Sequence, residues 1–184
     1  MNNFTIPTRE TVAEGNQAIF DNLKGMIGFV PNLYAYYANN ETALADYLAL
    51  QNRKSTLRAK EREIINLVVS QVNECDYCQA AHTAVGKMQG FTADEIIEIR
   101  KSEISFDPKF DALAKFVKET TIKRGKPSAE ATEKLFAAGY TQANLVDIVM
   151  VIGDKIISNY LHGITQIAVD WPPAPTLDAV AANA

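Results

Sequence analysis

The chain has 184 residues, 47% hydrophobic and 22% charged, a composition that gives it enough apolar side chains to bury a core. A formal charge of -4 and a pI near 5.2, with no Lys/Arg cluster able to neutralise a run of phosphates, argue against nucleic acid as a partner. Met1 to Thr11 lacks a cationic stretch followed by an apolar one, and the greasiest run, Leu145 to Ile157, is interrupted by Asp147, Gly153, Asp154 and Lys155. Neither a secretory signal nor a membrane span is expected, and the protein is placed in the cytoplasm.

The elements read as helical from end to end. Residues 9–24, following Pro7 and Thr8, carry a partial stripe of Val12, Ile19, Phe20 and Leu23, which Gly25 and Gly28 break. Pro31 starts a short aromatic helix with Leu33, Tyr34, Tyr36 and Tyr37, and a second begins near Glu41 with Leu44, Tyr47, Leu48 and Leu50. These tyrosines are expected to pack and to satisfy their hydroxyls at the rim of the core. Ser55 or Thr56 is the expected cap of the next helix, through Glu63, Ile64, Leu67 and Val68 to about Val72, and its apolar density marks a central element.

A further helix begins at Cys75 or Asp76 and stops at Gly90. Thr92, three residues before Glu95, is a capping box for a helix to about Lys101. Pro108 fits the first turn of a helix to about Arg124, ended by Gly125 and Pro127. Ser128 begins another, stopped by Gly139, and Thr141 caps a last long helix to about Val169, before Pro172 and Pro173. No alternating strand appears, apart from possible extension at Phe4 to Ile6. Two helix clusters, residues 9–90 and 92–169, are read as one interlocked domain over 1–171, with a Pro/Ala-rich tail, 172–184, loosely held or draped over a partner.

The chemistry concentrates in one stretch. Cys75 and Cys78 are the only cysteines, His82 follows four residues after the second, and Glu63 stands twelve residues before the first. In a reducing compartment a lone CxxC points to redox chemistry or metal binding rather than a structural staple. At a helix N-terminus the two sulfurs share a face, can close a disulfide, and gain a lowered thiol pKa from free backbone N–H groups. His82, one turn deeper, can take the proton of Cys78, and Glu63, costly to bury beside Ile64 and Ile65 unless paired, can orient His82 if the two helices pack together. A solvent-facing Glu63 is the plain alternative. A zinc half-site of Cys75, Cys78 and His82, with His162 or a carboxylate completing it, is another reading, as is a disulfide-exchange or redox-sensing protein without peroxide turnover.

The run Glu63, then Cys75-Asp-Tyr-Cys78-Gln-Ala-Ala-His82, resembles the signature of the alkylhydroperoxidase D branch of the carboxymuconolactone decarboxylase family, most strongly over residues 55–90. The resemblance implies an all-α fold of about seven or eight helices and a thiol peroxidase without a cofactor, reducing organic hydroperoxides or hydrogen peroxide. It implies assembly as a homo-oligomer, a trimer or hexamer, and an external dithiol reductant, lipoyl-bearing or thioredoxin-like. It assigns Glu63 and His82 to a proton relay and Cys75 and Cys78 to the redox pair. Helix-terminus electrostatics favour Cys75 as the attacking sulfur. Proximity to His82 and the family pattern favour Cys78, with Cys75 resolving the sulfenic acid to a disulfide.

Tyr77 stands where the best-known member has a histidine, and a tyrosine titrating near 10 cannot shuttle protons at neutral pH as an imidazole does. The decarboxylases of the family generally lack the cysteine pair, which sets that chemistry aside. Asp154, Asn159 and His162 lie in the last helix, where Asn159 and His162 can line the pocket or an interface, or His162 can be a satisfied core residue. Trp171 is a candidate packing or interface anchor. That helix is apolar on more than one face, as oligomerisation or a central position requires.

Overall fold

A computed structural model describes residues 4–177, which hold nine α-helices and no strand, so Phe4 to Ile6 adds no sheet. In chain order they are α1 (Glu14–Ile27), α2 (Asn32–Tyr37), α3 (Ala43–Gln51), α4 (Ala59–Val72), α5 (Asp76–Met88), α6 (Ala93–Lys101), α7 (Pro108–Ile122), α8 (Ala129–Ala137) and α9 (Gln142–Thr165). The short α2 and the following α3 are separate, as expected from the Pro31 and Glu41 segments of the sequence. No single helix among the described residues is long and apolar enough to cross a membrane.

Side-chain capping starts several of these helices where expected. Thr92 Oγ1 accepts the Glu95 N–H at 3.2 Å while Glu95 Oε2 accepts that of Thr92 at 2.7 Å. Asp107 Oδ1 accepts from Lys109 and Phe110 ahead of Pro108, and Ser128 and Thr141 cap α8 and α9.

Three boundaries differ from the sequence expectation. Residues 9–11 form a separate 3-10 turn and α1 starts at Glu14, because Val12 turns extended. Gly25 stays inside α1, and Gly28, at φ +93°, ends it. Neither Ser55 nor Thr56 caps α4. Thr56 is held by Asp147, whose Oδ2 accepts from its N–H and hydroxyl at 2.5 and 2.7 Å, and the helix follows Arg58, whose N–H is taken by Glu61 Oε2 at 2.8 Å. The last helix stops at Thr165, four residues short of Val169, because Gln166 takes φ +49°.

The contacts divide the chain into two compact units: residues up to 54 with 160–170, and 55–159 with the segment from Trp171 onward. The boundary therefore does not follow the two clusters 9–90 and 92–169, since α4 packs against α5, α6 and α7 and belongs with the later helices.

In the smaller unit the Tyr37 and Tyr47 rings stack at 4.4 Å, Tyr34 donates to Gln51 at 2.7 Å and Gln51 donates to Tyr47 at 3.1 Å, as expected of rim tyrosines. Asp170 Oδ2 accepts the Asn32 N–H at 2.7 Å.

The larger unit is built on α4. Ile64, Ile65, Leu67, Val68 and Val69 are fully buried, each contributing about 1.5–3 kcal/mol on transfer from water. They join Ile96, Ile99, Leu113, Val117, Leu135 and Ile148 in one core. α5 packs on this core at Gly86, where a Cβ would sit in ordinary contact with Ile96 Cδ1 at 3.4 Å and Leu67 Cδ1 at 3.7 Å. The tail is tied rather than loose as far as it is described: buried Arg100 donates to the Pro175 carbonyl at 2.6 Å. The rest of that expectation, residues 178–184, lies outside the described residues.

Candidate active site

Because α4 is buried nearly all round, polar residues in it are carried inside. Glu63 is 5% exposed. The chain reverses after Val72 through Asn73 and Glu74, the latter at φ +53°, and Cys75 becomes the N-cap of α5, its N–H bonded to the Ser70 carbonyl at 3.0 Å. Folding α5 back on α4 brings Glu63 Oε1 to 2.6 Å from His82 Nδ1, so Glu63 reaches His82 rather than facing water. Asn66 donates to the other carboxylate oxygen at 3.3 Å. The carboxylate fixes the imidazole's orientation.

Both cysteines are free thiols, each 3% exposed. Cys75 Sγ accepts the Cys78 N–H at 3.4 Å, the first turn of α5 thereby drawing the two side chains together. The Cys75 thiol donates to Cys78, which holds Cys78 as the anion and lowers it from its ordinary value to about 5 against the opposing effect of burial. Lys155, His82 and the Asn159 amide add to the lowering. Cys75 is pushed up by the same hydrogen bond, by burial and by the charge on Cys78. Of the two sulfurs, Cys78 is the one whose surroundings lower its pKa.

The third wall comes from α9. Ser158 Oγ lies 3.9 Å from Cys78 Sγ and donates to the Lys155 carbonyl at 3.0 Å. Asn159 Oδ1 accepts from Asn73 at 2.9 Å and its Nδ2 donates to Ser70 Oγ at 3.4 Å. Of the polar candidates in that helix, Asn159 joins the pair. His162 belongs to the smaller unit, buried with Nε2 3.1 Å from the Ile167 carbonyl, which fits the satisfied core reading. Lys155 and Ser158 were not foreseen: in the sequence Lys155 is only a charge interrupting an apolar run. Tyr77 is buried and Trp171 half-buried. Among the described residues no group of three or more His, Cys, Asp and Glu is placed to hold a metal ion, so the zinc reading has no ligand set here.

The sequence model described as "Carboxymuconolactone decarboxylase family" matches residues 36–119, which contain all four predicted site residues. An uncharacterized peroxidase-related protein from Silicibacter sp. TM1040 is similar in structure with a TM-score of 0.79 and 23% identity, over 92% of this chain and 89% of that one. The alkylhydroperoxidase AhpD core of an uncharacterized peroxidase-related protein from Ralstonia eutropha JMP134 gives 0.83 at 18% identity, over 91% and 92%. The debrominase Bmp8 gives 0.77 at 14%, over 92% and 93%. No curated protein matches the sequence.

Proposed function

We propose that this chain, which has the fold of the carboxymuconolactone decarboxylase and alkylhydroperoxidase D-like superfamily, reduces hydroperoxides through Cys75 and Cys78. The observation that carries the reading is the Glu63–His82 pair, 2.6 Å apart, beside a Cys78 held as thiolate. The thiolate attacks a peroxide oxygen, the O–O bond breaks, and the departing alkoxide takes a proton relayed by His82, leaving alcohol and a Cys78 sulfenic acid. Cys75 then attacks that sulfur through its own, and its proton leaves with the hydroxyl as water. The product is a disulfide, which an external dithiol reduces by exchange, becoming a disulfide itself. A lipoyl-bearing or thioredoxin-like protein has the chemistry for this last step, in the reducing cytoplasm.

Cys78→Ser is expected to abolish turnover of an organic hydroperoxide supplied with a dithiol, while Cys75→Ser consumes one equivalent and stops at the sulfenic acid. Full turnover by both variants would sink the mechanism. Comparing dihydrolipoamide with thioredoxin as donor tests the electron source in the same assay. A pair that exchanges disulfides with either donor but consumes no peroxide is instead the redox-exchange alternative. A polybrominated pyrrole in place of the peroxide tests the reaction class of the debrominase.

Self-association belongs to the same reading. Within the larger unit α9 exposes Val146, Val149, Met150 and Ile157, the last three lying three, four and eleven residues after the first, an apolar stripe suited to a second copy of the chain in a trimer or hexamer.

A further inference from the structure

The proton relay and the disulfide use α4 and α5, and one buried charge on α9 has no part in them. Lys155 is 2% exposed, within a stretch that also buries Ile148 and Ile152. An ammonium in such a place is costly to hold unless an anion or dipoles face it. Three and four residues further on, Ser158 and Asn159 share its side of the helix, and both are buried. The Ser158 hydroxyl is anchored on the Lys155 carbonyl and lies 3.9 Å from Cys78 Sγ, and the Asn159 amide is fixed between Asn73 and Ser70. The buried Lys155 therefore lies one helical turn before the side chain of α9 that touches Cys78.

We propose that Lys155 is a positioning residue that makes Cys78, rather than Cys75, the thiolate of the pair, with the Asn159 amide on the same side of α9. The inference rests on the reading of the pair as a reactive dithiol, not on peroxide turnover. The charged and titratable groups that act on Cys78 are Cys75 and His82 from α5, the latter paired with Glu63 of α4, and Lys155 from α9, next in sequence to the buried Asp154. Of these, Glu63 is engaged by His82, and the ammonium and the imidazole both favour charge on Cys78. Along α5 the Cys78 N–H favours charge on Cys75 and His82 favours it on Cys78, and Lys155 adds to the second.

The test is the pH dependence of alkylation of the reduced full-length protein by iodoacetamide, with peptide mass mapping to show which cysteine reacts. The native chain should react at Cys78 with a midpoint well below that of a free thiol. Lys155→Met should raise the midpoint by about one pH unit or more, a tenfold loss of thiolate below it, and move label toward Cys75. Lys155→Arg, which keeps the charge, should restore both readings. A Lys155→Met protein with native helical circular dichroism, an unchanged midpoint and label still on Cys78 overturns the proposal. If the Met variant does not fold, Lys155→Gln takes its place with the same two readings. Alkylation needs no peroxide, so an inactive peroxidase with a shifted midpoint removes the proposed function and leaves this inference standing.

Discussion

Two glutamates of α4, Glu61 and Glu63, are both buried, and their partners separate structure from chemistry. Glu61 is satisfied by the Arg58 backbone and guanidinium and by the Tyr140 hydroxyl, with Lys109 at 3.8 Å, an arrangement that fastens the start of α4. Glu63 has His82. Removing one partner of a buried pair strands the other, so His82→Ala is expected to lower stability by about 3 kcal/mol, whereas Glu63→Gln, which keeps a hydrogen-bonding side chain, costs less. Urea unfolding followed by circular dichroism distinguishes them, and equal small losses would mean that the carboxylate does not depend on His82. The spacing from Glu63 to the cysteines singled out this residue in the sequence, while Glu61, two positions away, carried no such signal. Lys155 was illegible for a related reason: the side of α9 that touches Cys78 and Asn73 does so through Ser158 and Asn159, far from them in sequence, and no local pattern announces a contact between distant helices.

Helix starts were readable wherever a side chain caps locally, because Thr92, Asp107, Ser128 and Thr141 each bond N–H groups within three residues. Thr92→Ala should therefore cost about 1 kcal/mol in thermal or urea unfolding, and no loss would show the capping box to be idle. The start of α4 misled for the opposite reason. Thr56 looks like a cap but spends its hydroxyl and N–H on Asp147 of α9, a long-range contact. The excess of apolar residues in α9 was also legible, though not its division between the core and an open face. Placing a charge on that face by Val149→Glu is expected to reduce the mass seen by light scattering at a given concentration while helical content stays native. An unchanged mass would assign self-association, if any, to another surface.

At the scale of the whole molecule, the state of the dithiol should be written into the pH dependence of stability. Cys78 is lowered to about 5 from an ordinary value near 9. Between those values the unfolded reduced chain holds a proton on this residue that the folded chain has released. The reduced protein therefore gains stability as pH rises through the window, by at most about 1.4 kcal/mol per pH unit for one proton. The gain is complete above the unfolded value and is lost as pH falls through about 5. Cys75, raised in the fold, acts in the opposite sense, with a contribution present at lower pH that declines once the unfolded thiol begins to ionise. In the disulfide neither sulfur titrates, so the oxidised chain lacks both effects. Subtracting urea-unfolding free energies of the oxidised from the reduced protein should give a difference that climbs from about pH 5 toward 8 and declines above the unfolded thiol value as Cys75 takes over, and Cys78→Ser should remove the climb from the reduced form. A flat or falling difference over that range would mean that the fold does not favour the Cys78 anion. A rising one ties the fold to its chemistry, since stabilising the reduced pair makes the disulfide a better oxidant and eases its reset by an external dithiol.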